Sequence, residues 1–134
     1  MNDKEKIQAF LGTGPFAVVG ASTDRNKYGN KVLRCYLQHD LKAYPVHPKA
    51  SEVEGQPCYP SLRELPEPVR AASVITPPPM TERVVEDAHA SGVEFLWMQP
   101  GAESPAAVAR AEELGMTVIA NGPCLLVTLG FKDV

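Results

Sequence analysis

Apolar residues gather along the chain in five short runs, Phe16 to Gly20, Leu41 to Val46, Ala71 to Thr76, Val93 to Met98 and Met116 to Ala120. Each has the length of a strand buried on both faces, and each ends at or just before a glycine or proline, residues that interrupt a ladder. Between the runs the apolar spacing lengthens to a helical period. Val32, Leu33, Cys35, Tyr36 and Leu37 predict a helix over about Tyr28 to His39. Val84, Val85 and Ala88 predict another from Met80 to Gly92 with Thr81 as its cap, and Ser104, followed by Pro105 in the first helical position, opens a third that Gly115 ends. Ahead of the first strand, Asp3 is the expected cap of a short helix with Ile7, Phe10 and Leu11 on its apolar side.

The remaining stretches are connections. Ala50 to Pro60 reads as a polar excursion turning at Gly55, and Ser61 is expected to cap a helical turn at Leu62 to Leu65. Pro77-Pro78-Pro79 stops the third strand and is expected to lie in neither strand nor helix. Leu125 to Val134 is apolar and short, and its pattern leaves strand and helix open. Strands alternating with helices predict an α/β fold: one Rossmann-like, doubly wound domain over residues 1–134, with a mostly parallel sheet of five strands, or six with the tail, and helices on both faces.

That architecture gives the loops a function. In a doubly wound sheet, ligands sit outside the C-terminal strand ends. The segments expected there are Gly20-Ala21-Ser22, Pro45 to Lys49, Thr76-Pro77-Pro78, Gln99-Pro100-Gly101 and Asn121-Gly122-Pro123. Gly20 and Ala21 leave room for a phosphate against the backbone, and the next helix opens with free N–H groups aimed at it. Ser22 can add a hydroxyl donor, and Arg25 and Lys27 are the nearest cations, whereas Lys31 and Arg34 are expected to face solvent. Gly29 is unfavourable so near a helix start, which suggests that backbone or ligand comes close.

Composition narrows the partners. Length predicts one domain, and a formal net charge of −3 argues against nucleic acid or an anionic membrane. No apolar run approaches a membrane span, and the charged start is unlike a secretory signal, so a cytoplasmic protein is expected. Cys35, Cys58 and Cys124 are scattered and expected to be reduced thiols, without metal-ligand spacing. A dinucleotide reader carries Gly-x-Gly-x-x-Gly after its first strand and an acidic residue closing its second. Here Gly20 is followed by Ala21-Ser22-Thr23-Asp24-Arg25, and the second strand closes in Val46-His47-Pro48-Lys49. Lys49, with His47 able to join it, suits a ribose that bears a phosphate, which leaves NADP or coenzyme A (CoA) as the ligand. NADP hydride chemistry needs further chain to hold nicotinamide and substrate, and 134 residues leave little.

Seven fragments in order, among them Val18-Val19-Gly20-Ala21-Ser22, Tyr28-Gly29-Asn30-Lys31-Val32, Tyr44-Pro45-Val46-His47-Pro48, Tyr59-Pro60-Ser61-Leu62 and Trp97-Met98-Gln99-Pro100-Gly101, resemble the small bacterial and archaeal CoA-binding domain proteins. Ile75-Thr76-Pro77-Pro78 and Asn121-Gly122-Pro123-Cys124 complete the set, which is also similar to the N-terminal CoA-binding domain of the succinyl-CoA synthetase α subunit. The resemblance implies CoA along the sheet's C-terminal edge: pyrophosphate on Gly20-Ala21-Ser22 beside Tyr28, with Lys27 or Arg25 as counterion. It implies adenine flanked by Pro45-Val46-His47 and Thr76-Pro77-Pro78, with Lys49 near the 3′-phosphate. The residues themselves add that Gln99 can close the pocket near the thiol arm, that Asn121 lies at the same rim, and that Cys124, if it faces the pocket, can exchange with the CoA thiol to form a mixed disulfide. The synthetase subunit carries its phosphorylated histidine in a second domain outside this match, so no catalytic residue is assigned. The expectation is a binder of CoA or acyl-CoA acting as carrier, sensor or accessory partner of an acyl-transfer enzyme. The alternative is an NADP-binding Rossmann enzyme, or a CoA-thioester enzyme completed by a partner chain.

Overall fold

The computed structural model describes residues 1–134. Helix α1 (Asp3–Leu11) leads into β1 (Phe16–Val19), α2 (Tyr28–Gln38) and β2 (Ala43–Val46). A two-stranded hairpin, β3 (Glu52–Val53) and β4 (Gln56–Pro57), and a 3-10 turn at Leu62–Glu64 precede β5 (Ala71–Val74). Then follow α3 (Pro78–Ala90), β6 (Phe95–Met98), α4 (Pro105–Glu113), β7 (Thr117–Ile119) and α5 (Leu125–Leu129). Five strands form one sheet in the order β2-β1-β5-β6-β7, and every neighbouring pair is parallel. The expected doubly wound α/β architecture is therefore present, with five strands in its main sheet.

Alternation along each strand builds two cores. On β1, Phe16 and Val18 face the layer of α1, α2 and α5, where Phe10, Val32, Tyr36 and Leu125 join them. Ala17 and Val19 face the layer of α3 and α4 and meet Val85, Ala88, Ala107 and Ala111. The first core is aromatic: Phe16 stacks between Phe10 and Tyr36 with ring centroids 5.3 and 4.8 Å away, and Trp97 meets Phe10 edge-on at 5.3 Å. The second is aliphatic, with alanines of α3 and α4 at its centre.

The structure corrects several boundaries. Asn2, not Asp3, caps α1, because its Oδ1 accepts from the Glu5 N–H at 2.8 Å while Glu5 Oε1 accepts from the Asn2 N–H, a reciprocal capping box. The proline run opens a helix: Pro78 and Pro79 begin α3, where a missing N–H costs nothing because the first-turn donors lack helical partners anyway. Thr81, expected as the cap, is buried inside that helix, its Oγ1 2.7 Å from Thr76 Oγ1. Ser61 makes no cap bond to the 3-10 turn; its hydroxyl donates to Glu64. The tail forms a helix, α5, which packs on α2. Pro45 sits within β2, tolerated because β2 is an edge strand with nothing in the main sheet beyond it. Its outer side is covered by the returning chain: Tyr59 N–H donates to the Pro45 carbonyl at 3.1 Å and His47 N–H donates to the Tyr59 carbonyl at 2.9 Å.

Candidate functional site

The chain leaves β1 for β2 on one side and later returns to β5 on the other, so a crevice opens where the loops after β1 and β5 part. A cleft of about 620 Å³ lies there. Its base is the β1 end, Val19 to Ser22, and the start of α2, Lys27 to Gly29. One wall is Val46, His47 and Pro48 with Pro60, Ser61 and Leu62; the other is Ile75, Thr76 and Pro77 with Met80, Val84 and Asp87 of α3.

Two glycines shape the base. Gly20 takes a φ of +94°, and a Cβ there would lie 2.1 Å from the Ile75 carbonyl oxygen, so only glycine fits. A Cβ on Gly29 would lie 2.0 Å from the Gly20 carbonyl oxygen, so the first turn of α2 rests directly on the end of β1. This close approach is the reason for a glycine at an unfavourable helix position. Lys27 occupies the N-cap position of α2 with no side-chain cap, leaving the first-turn N–H groups open toward the cleft. Shape and polarity together suit a diphosphate, with Lys27 beside it.

A buried network shapes the loop between β1 and α2. Asn30 Nδ2 donates to the Ser22 carbonyl at 2.8 Å and to Glu54 Oε2 at 3.1 Å, and Arg34 Nε donates to Asn30 Oδ1 at 2.7 Å. Arg34 also donates to the Arg25 carbonyl at 2.8 Å and pairs with Asp133 at 3.1 Å. Arg34 is 5 % exposed, so the expectation that it faces solvent is overturned: it ties the loop and the tail to α2. Lys31 keeps a long 3.7 Å contact with Asp133.

Of the residues singled out from the sequence, Gly20, Ala21, Ser22, Lys27, Tyr28, Val46, His47, Thr76 and Pro77 all line this cleft. Six others do not. Arg25 is drawn away by Glu54, 2.6 Å from its Nη1, and donates to the Val134 carbonyl at 2.7 Å. Lys49 is exposed beyond the rim, its backbone N–H donating to His47 Nδ1 at 3.0 Å. Pro45 is held within β2, and Pro78 lies in the first turn of α3, off the lining. Asn121 is exposed in a left-handed turn at φ 63°. Gln99 is fully buried behind Tyr28, its Oε1 accepting from the Leu125 N–H at 2.9 Å and the Tyr28 hydroxyl at 3.2 Å, while its Nε2 has no partner.

Tyr28 links the cleft to Cys124, its hydroxyl 2.5 Å from Sγ, and burial followed by this contact holds the phenol well above its usual range. Sequence reasoning missed the outer wall: Tyr59-Pro60-Ser61-Leu62 was visible as a fragment, but only pairing along β2 brings Ser61 and Leu62 to the cleft. It also missed the α3 stripe of Met80, Val84 and Asp87, whose spacing of four and three residues signals one helix face but not what that face meets.

A five-stranded parallel sheet wrapped by helices, with a glycine-lined cradle at its switch in strand order, defines a Rossmann-like α/β domain. Within that class the chain belongs to the family described as CoA binding domain, which matches residues 15–130. Among curated relatives it is 36% identical over 78 residues to acetate–CoA ligase [ADP-forming] I of Archaeoglobus fulgidus, covering 58% of this chain and 11% of that protein. It is 30% identical over 89 residues to the acetate–CoA ligase [ADP-forming] II subunit alpha of Pyrococcus furiosus, covering 66% of this chain and 20% of that one. The chain thus spans only about a tenth to a fifth of these relatives. Among solved structures, a protein from Pyrococcus horikoshii OT3 superposes with a TM-score of 0.88 at 30% identity, covering 95% of this chain and 89% of that one. The dinucleotide-forming acetyl-coenzyme A synthetase 1 of Ca. Korarchaeum cryptofilum, solved with phosphate and ADP, superposes at 0.73 with 33% identity, covering 90% of this chain and 27% of that one. No helix is long and apolar enough to cross a membrane.

Proposed function

We propose that this chain binds CoA, free or acylated, in the cleft at the switch in strand order and serves as the CoA-holding partner of an acyl-transfer enzyme. The observation that carries the reading is the cradle in which Gly20 and Gly29 exclude any side chain at the uncapped start of α2. The diphosphate lies there with Lys27, the adenosine runs between His47 and Pro77, and the pantetheine leaves past Tyr28 toward Cys124. Membership of the CoA binding domain family supports the ligand. The relative whose description makes it a subunit alpha supports a protein partner.

Titration followed by thermal unfolding tests this, because a ligand that binds only the folded chain raises stability by about 2.7 kcal/mol at a hundredfold excess over its Kd. CoA and acetyl-CoA are expected to raise the melting temperature, and NADP is not. A rise with NADP and none with CoA would move the chain to the other reading, a reader of phosphorylated dinucleotides. Lys27→Ala is expected to weaken CoA by about tenfold, the effect of one hydrogen bond to a charged group.

A further inference from the structure

Resting on the CoA reading above, we propose that Asp87 selects the base, accepting a hydrogen bond from the exocyclic amine of adenine at the end of the cleft remote from the phosphate cradle. Asp87 is the sole carboxylate among the residues that line the cleft. It follows Met80 and Val84 on one stripe of α3, about 14 Å down the helix from Pro78 at the usual rise per residue. Cation and open helix N–H groups therefore stand at the β1 end of the cleft, and a carboxylate stands well along one wall.

This polarity orients the ligand. The diphosphate is drawn to Lys27, whereas a ring bearing an N–H donor is favoured beside the free carboxylate oxygen. Val84, one turn away, and Leu62, across from α3, supply apolar surface for a planar ring at that end. Arg63, next to Leu62, holds Asp87 by Oδ1 at 2.8 Å, with the two side chains 65% and 31% exposed. That pairing occupies Oδ1 and leaves Oδ2 for a second donor. Adenine offers an amine at this edge where hypoxanthine offers a carbonyl oxygen, which the carboxylate rejects.

Calorimetric titration of CoA and its deaminated counterpart, with hypoxanthine replacing adenine, tests the assignment. The unaltered chain is expected to prefer CoA by at least about tenfold, the effect of a hydrogen bond to a charged acceptor. Asp87→Asn, whose amide can donate to the carbonyl of hypoxanthine, is expected to bring the two affinities to within about twofold. Arg63→Ala breaks the same ion pair but keeps the carboxylate, and is expected to preserve the preference. Equal binding of both ligands by the unaltered chain, or an undiminished preference in Asp87→Asn, would overturn the assignment while leaving the CoA reading standing. Loss of the preference in Arg63→Ala as much as in Asp87→Asn would overturn it in favour of a clamp between the 3-10 turn and α3. If the unaltered chain binds neither ligand, both readings fall together.

Discussion

Two glycines set the tolerance of the site. Gly29 is legible in the sequence as a residue out of place, but its reason is a backbone contact with Gly20 that no local pattern contains. Gly29→Ala forces the Gly20 carbonyl and α2 apart, and is expected to cost about 1–3 kcal/mol by overpacking and to weaken CoA binding with it. Urea unfolding and titration of the same variant check both; normal stability with normal affinity would contradict the close approach. Buried polar pairs are a second lesson at this scale. Tyr36 and Ser73, both fully buried, share a hydrogen bond of 2.6 Å in the aromatic core. Tyr36→Phe leaves the Ser73 hydroxyl alone and is expected to cost about 1–3 kcal/mol. Adding Ser73→Ala should then cost much less than it does in the unaltered chain, which a double-mutant cycle measures. Ser73 read from the sequence as one more strand residue, since a strand pattern says which face a residue takes and not which hydroxyl it will meet.

Among the elements, the link between β1 and α2 decides which cations reach the ligand. Arg25 and Lys27 are near-equivalent in sequence, two residues apart in one basic loop. The hairpin of β3 and β4 separates them, because Glu54 at its tip captures Arg25 and Asn30 while Lys27 stays at the cleft. Arg25→Ala is expected to change stability by less than about 1 kcal/mol, because Arg25 is half-exposed and Glu54 keeps its hydrogen bond from Asn30, and to leave CoA affinity unaltered. Arg34→Met is expected to cost more, about 1–3 kcal/mol, by leaving the Asn30 and Arg25 acceptors buried and unmet, and to weaken CoA through the loosened loop. Urea unfolding and calorimetry of the two variants in parallel check this; a larger loss for Arg25→Ala would reverse the assignment. The hairpin itself was invisible to periodicity, since strands of two residues each carry no period. The helix start at Pro78 was hidden for another reason: a proline run can end a strand or open a helix, and the buried Thr76–Thr81 contact decides between them.

For the molecule as a whole, the packed layers leave a signature at alkaline pH. Burial, and then the charge of Cys124, push the Cys35 thiol up to about 11 from its ordinary 9.0, and burial raises Tyr28 and Tyr36 as well. Above pH 9 the unfolded chain releases the Cys35 proton while the folded chain keeps it until about 11. The unfolded state then binds fewer protons, so stability falls as pH rises through that window. The urea midpoint is expected to drop between about pH 9 and about 11, and to drop less in Cys35→Ala; a flat profile would contradict the burial of that thiol. By itself the order of residues determined the alternation of strands and helices, the parallel sheet, and the glycine turn with its helix start. These follow from side-chain period and backbone freedom, which act over a few neighbouring positions. Only the tertiary structure decided which side chains share the cleft. Arg25 turned to a partner 29 residues away, Ser61 and Leu62 arrived by pairing on the outer edge of β2, and Asp87 entered along a helix face. Competition among distant partners for one charge or one face has no local trace, because it is settled only when every candidate is in reach.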